Sequence, residues 1–153
     1  MGYCSANLDN VLMALGRRET GTAKLLEAVD AYRSALTQQD PDYSPSDWAL
    51  TQHNLGAVME MIADREEDAQ SARLAIEALR AALKIRTPGS PDWASTQASL
   101  GAALATLDRL EEGAHCFEES VAAYEAAVSA SVGHLFVQRL ATTGLHQARA
   151  STD

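Results

Sequence analysis

Trp48-Ala49-Leu50-Thr51-Gln52-His53-Asn54-Leu55-Gly56 returns, 45 residues later, as Trp93-Ala94-Ser95-Thr96-Gln97-Ala98-Ser99-Leu100-Gly101. Asn7-Leu8 aligns with Asn54-Leu55 at an offset of 47. A second block follows each copy. It reads Ala28-Val29-Asp30-Ala31-Tyr32-Arg33-Ser34-Ala35-Leu36, then Ala75-Ile76-Glu77-Ala78-Leu79-Arg80-Ala81-Ala82-Leu83, then Ser120-Val121-Ala122-Ala123-Tyr124-Glu125-Ala126-Ala127-Val128. The step from Leu8, Leu55 or Leu100 to the start of its second block is 20 residues every time. Self-similarity at such a period marks stacked supersecondary units, each unable to bury its apolar face alone.

Both blocks have helical periodicity. Trp48, Leu55, Met59 and Ile62 fall on one side of the first, and Leu25, Val29, Tyr32 and Leu36 on one side of the second. Alanine, leucine, glutamate and arginine favour helix. Valine, isoleucine and threonine never alternate with polar residues, so strands have little support. Ser44-Pro45 and Ser90-Pro91 are helix starts, because serine caps free amides and proline fits the first turn. Pro41 and Pro88 close the preceding helices. Each unit is thus two helices, A then B, joined by a turn.

The paired unit resembles the tetratricopeptide repeat, whose signature is W-x2-L-G-x2-Y, then A-x3-F-x2-A, then P. The matching residues are Gln52, Leu55, Gly56, Met59, Ala75, Leu79 and Ala82 in the second unit, and Gln97, Leu100, Gly101, Leu104, Ser120, Tyr124 and Ala127 in the third. In the first they are Ser5, Leu8, Asp9, Leu12, Ala28, Tyr32 and Ala35, with Asp9 where glycine is expected. The closing prolines, Pro41 and Pro88, each come one residue late, and the third unit has none. The glycine permits close approach of helix A to helix B. The resemblance covers residues 3 to 130 and is nearest to longer-period bacterial arrays opening on Trp-Ala-x-Thr-Gln-x-x-Leu-Gly. It implies an all-α fold, a right-handed α-solenoid of three helix-turn-helix repeats over about 1–45, 46–90 and 91–130, forming one domain across 1–153.

The usual repeat has about 34 residues, so the excess is expected in the A-to-B turns (16–21, 63–68 and 108–113) and in the linkers between units. The tail fits a terminal capping helix over about 134–149, with Ser131 as its cap. Phe136, Leu140 and Leu145 would face the third unit, and Gln138, Arg139, Thr142, Thr143 and Gln147 would face water, as a solenoid end requires. At the other end, two readings stay open: a piece of a longer array, or a first A helix that serves as the cap.

Lys and Arg number 12 against 21 Asp and Glu, a formal charge of −9. Phosphate backbones and anionic membrane surfaces are held by clustered Lys and Arg, so neither nucleic acid nor membrane is expected as a partner. Cys4 and Cys116 form no disulfide framework and no CxxC pair, which with the absence of a signal-like start points to the cytoplasm.

Chemical motifs are weak. Gly16-x4-Gly21 has the outline of a phosphate loop, but Thr22 stands where lysine is required and a helix, not a strand, precedes it. Glu112-x-x-His115 has metal-ligand spacing, yet it occurs once where carboxylate-bridged bundles need it twice, and Cys116 beside it points elsewhere. His53, His134 and His146 have no nucleophile motif around them. No catalytic residue, cofactor or metal is therefore expected.

The resemblance implies a non-enzymatic scaffold binding another protein or peptide, a second copy of the chain included, in a concave groove of A helices. The groove places are Tyr3, Ala6, Asn10 and Met13, then Leu50, His53, Ala57 and Glu60, then Ser95, Ala98, Ala102 and Ala105. The bland reading is that these are surface positions. Tetratricopeptide clamps for acidic tails use Lys, Arg and Asn; here Asn10 and Asn54 stand at clamp-like places, but Ala6, Ala98 and Ala102 occupy the basic ones. An uncharged or basic amphipathic segment is therefore expected. Two other readings stand beside this one. The chain is a spacer or dimerisation module within a larger signalling or regulatory protein, or it is a small helical enzyme, which would need converging ionisable residues.

Overall fold

The computed structural model describes residues 22–112, 114–131 and 135–150, with only the backbone of Leu135 and Phe136. The described residues are all-helical, with no strand among them. The helices are α1 (Ala23–Gln38), α2 (Pro45–Glu66), α3 (Ala69–Ile85), α4 (Pro91–Leu110), α5 (Phe117–Ala130) and α6 (Leu135–Ala150). Each packs on the next along the chain. In addition α2 lies against α4, and α4 against α6.

Local chemistry accounts for the boundaries, with two departures from expectation. Ser90 Oγ accepts from the Trp93 amide at 3.1 Å, so α4 is capped as expected. Ser44 makes no such bond; its hydroxyl turns back 3.4 Å from the Asp40 carbonyl. The turn between α2 and α3 is not residues 63–68. Helix α2 continues through Glu66, Glu67 takes a left-handed φ of 52°, and Asp68 caps α3 by accepting from the amides of Gln70 and Ser71. Residues 63–66 contain no glycine or proline, so nothing stops the helix there. Most of the residues expected in that turn are therefore helix. Between α4 and α5 the connection is longer, spanning 111–116, where the Asp108 carboxylate accepts from the Cys116 amide at 2.9 Å.

The close approach of A and B helices is visible at two glycines. A Cβ on Gly56 would lie 2.5 Å from the Leu79 side chain and 3.1 Å from the Ala75 carbonyl oxygen. At Gly101 it would lie 2.9 Å from the Tyr124 ring, and the buried Ser120 hydroxyl donates to the Gly101 carbonyl. Leu79 and Tyr124 are 45 residues apart, so the same contact is built twice. One apolar core runs from Leu25, Val29 and Tyr32 through Val58, Met59, Ile62 and Leu79 to Leu100 and Leu104. A second gathers Ala98, Tyr124, Ala127, Ala141 and Ala148.

The inward face of α6 differs from expectation. Ala141 and Ala148 are buried and Leu145 packs beside them, whereas Leu140 is 50% exposed. Gly144 abuts the Tyr124 ring, where a Cβ would come within 2.3 Å. The small residues of α6 thus face the bulky ring, and Leu140 is left half-exposed beside it. Ser131 is buried at the end of α5, with its hydroxyl donating to the Val128 carbonyl; the residues between it and α6 lie outside the described ones.

Candidate functional site

Helices α2, α4 and α6 follow one another at one-repeat spacing, and side-chain hydrogen bonds tie α2 to α4. Thr106 donates to Glu60 at 3.3 Å, Arg109 to Asp64 at 2.9 Å, and Thr96 meets His53 Nδ1 at 3.2 Å. Between them lies a cavity of about 270 Å³ lined by Ala57, Glu60 and Met61 of α2, Ala98, Ser99 and Ala102 of α4, and Leu140, Thr143, Gly144 and Gln147 of α6, with Tyr124 of α5 as its floor. Ala57, Ala102 and Gln147 are 45 residues apart in turn, and so are Ala98 and Thr143. The same places of three successive helices therefore build one wall. A second cavity of about 440 Å³ continues past Tyr124, Gly144 and Gln147 to Thr106, Asp108, Arg109 and Phe117.

The expected groove residues divide. Ala57, Glu60, Ala98 and Ala102 come together in the first cavity, and Ala105 lines the second. Tyr3, Ala6, Asn10 and Met13 lie outside the described residues. Leu50, 44% exposed, lines a separate cavity with Ile85, Arg86, Ser90 and Asp92, where the α3–α4 linker crosses the start of α2. Ser95 lines none of the cavities above; its carbonyl accepts from the Ser99 hydroxyl. Repeat spacing missed the contribution of α6 and of Tyr124. The signal for α6 was present, since Thr143 and Gln147 are the next steps of 45 from Ala98 and Ala102.

His53 faces α4 rather than the open groove. Thr96 Oγ1 donates to the Asp92 carbonyl at 2.8 Å and accepts from Arg86, whose guanidinium also reaches that carbonyl. A hydroxyl has one proton, so with that proton on the Asp92 carbonyl it is His53 Nδ1 that donates to Thr96. Burial first, then the Arg86 charge, lowers the His53 pKa to about 4, against a smaller opposing pull from Asp92. At the first cavity, burial and then the Glu60 charge push the Tyr124 phenol up to about 12, so it is a neutral hydroxyl at any ordinary pH.

The chain matches no protein-family model, no curated protein and no solved structure.

Among the described residues, no group of three or more His, Cys, Asp or Glu is placed to hold a metal ion, and no helix is long and apolar enough to cross a membrane. The Cys116 thiol is half-buried, and its pKa is raised first by that burial and then by Asp108 and Glu119. Arg80 and Arg73 pull the other way by less, so the thiol is not activated.

Proposed function

We propose that this chain is a tetratricopeptide-like α-solenoid, three helix pairs with α6 opening a fourth, which holds a segment of another protein in the groove across α2, α4 and α6. The observation that carries this reading is the construction of one cavity from equivalent places, Ala57, Ala102 and Gln147, of three successive A helices. Alanine at two of these three places leaves the backbones of α2 and α4 open to a ligand. The groove is partly apolar, with a few polar groups at fixed places, the composition of a site that orients what it binds. The A-helix face suits an extended or helical segment of a partner, held by alternating side-chain pockets. Work in the cytoplasm, with the thiols reduced, belongs to the same proposal.

The test is a selection of 12-residue peptides from a random display library, followed by amide chemical-shift mapping of the tightest binders. Shifts should concentrate at Ala57, Ala98, Ala102 and Thr143. Binders that perturb the α3 and α5 surface around Arg80 and Glu119 instead would contradict the groove.

A further inference from the structure

Arg73, Arg80, Arg109 and Arg149 each reach a carboxylate. Arg86, in the linker between α3 and α4, is placed differently. It is half-buried, and its Nη1 donates to two neutral oxygens, the Asp92 carbonyl and the Thr96 hydroxyl. Those bonds fix the guanidinium. Among the described residues, its Nε and Nη2 have no acceptor and no carboxylate stands at ion-pair distance from it. Burial holds its pKa below the ordinary value, and the Asp92 charge draws it back. The guanidinium still keeps its proton, and its unused donors are an edge of the planar fork that grips a carboxylate. Arg86 lines the cavity of about 370 Å³ at the start of α2. The opposite charge is there too, since the exposed Asp47 of α2 and Asp92 of α4 line it as well. Leu50, 44% exposed, and Ile85, 39% exposed, supply its apolar wall. A plain anion would meet two aspartates, and a plain cation would meet Arg86. A molecule with both charges beside an aliphatic chain complements all of that lining.

We propose that this cavity binds a free α-amino acid with an aliphatic side chain, its carboxylate on the Nε–Nη2 edge of Arg86, its ammonium on the Asp47 and Asp92 carboxylates, and its side chain on Leu50 and Ile85. The site is separate from the groove across α2, α4 and α6 and does not depend on it. The residues that define it are departures from the repeat. One step of 45 further on, Leu50, Ile85 and Arg86 give way to Ser95, Ala130 and Ser131, so the third unit has neither the cation nor the aliphatic wall at these places.

The experiment is an NMR titration of the whole chain at low salt with three probes: L-leucine, N-acetyl-L-leucine, which lacks the ammonium, and L-leucinamide, which lacks the carboxylate. L-Leucine should give saturable amide shifts at Leu50, Ile85 and Thr87, and should bind about tenfold tighter than either derivative, since each has lost one set of charge contacts. Asp47→Asn removes one of two exposed carboxylates, so it should weaken L-leucine by about threefold and leave N-acetyl-L-leucine unchanged. Arg86→Gln, which keeps a donor for Thr96, should weaken L-leucine and N-acetyl-L-leucine alike, by about tenfold, and leave L-leucinamide unchanged. Melting curves check that both variants fold, and the comparison of the three probes needs no variant. If L-leucine gives no saturable shift at those amides at millimolar concentration, the site does not exist. If N-acetyl-L-leucine binds as tightly as L-leucine, the aspartates read no ammonium and the ligand class is wrong.

Discussion

The second and third helix pairs follow one template and differ at one residue that changes the surface. In α2 and α3, Gly56 receives Leu79, which is fully buried. In α4 and α5, Gly101 receives Tyr124, whose ring also presses on Gly144 of α6 and lines the first cavity. Leucine at this place seals a pair. Tyrosine seals it, reaches the next A helix and brings a hydroxyl into a cavity. The connections differ in parallel: two residues with an aspartate cap between α2 and α3, six residues with no side-chain cap at Cys116 between α4 and α5. One repeat is specialised for packing and its neighbour for packing plus surface.

Truncation at the two equivalent places should give the largest effects. Tyr124→Ala should cost about 3–5 kcal/mol and Leu79→Ala about 2–5 kcal/mol in denaturant unfolding. Hydrogen exchange separates them: Tyr124→Ala should unprotect α6, and Leu79→Ala should not. Equal protection of α6 in both would show that Tyr124 does not hold it.

His53 makes the α2–α4 contact sensitive to pH. Its folded pKa of about 4 lies below the ordinary 6.5, so between these values the unfolded chain binds more protons. The contribution is complete above pH 6.5 and is lost as pH falls toward 4, up to about 3 kcal/mol. Melting temperatures of the parent and His53→Gln, compared across that range, should converge as the pH drops. Parallel curves would mean that His53 titrates normally.

Gly56→Leu and Gly101→Leu should each overpack the A–B contact by about 1–3 kcal/mol. The comparison sharpens here, since a Cβ at Gly56 meets a backbone carbonyl as well as a side chain. Gly56→Leu should be the worse of the two, and unchanged midpoints would mean that the helices do not touch there. The smallest difference is expected at the two serine starts. Ser90→Ala should cost about 1 kcal/mol, and Ser44→Ala almost nothing, because only Ser90 caps a helix.

The all-helical character and the A–B contacts were legible because residue type encodes them. A glycine facing a leucine or tyrosine at fixed spacing is a steric requirement, readable without coordinates. Helix ends were less legible. Residues 63–66 are all compatible with helix, so only the left-handed Glu67 and the Asp68 cap end α2, and both depend on the chain that follows. The lining of the first cavity was read in part. Ala57, Ala98 and Ala102 follow from the repeat, but Leu50 sits two turns nearer the start of α2, opposite the linker rather than α4. His53 was drawn inward by Thr96 and Arg86, a polar contact that periodicity does not carry. Leu140 is half-exposed at the cavity rather than packed in the core, because apolar spacing alone cannot say that Ala141 and Ala148, beside a tyrosine, pack better than leucine.

The central claim is that the partner lies across α2, α4 and α6 and not in the cavity at Leu50. The most direct test is the affinity of one display-selected peptide for two variants of matched charge, Ala57→Asp with Ala102→Asp against Leu50→Asp with Ile85→Asp, each checked for helicity and melting. Introduced charges at the centre of an interface typically weaken binding on the order of tenfold or more. The account predicts that loss for the first variant and parent-like binding for the second. Loss confined to the second variant would contradict it.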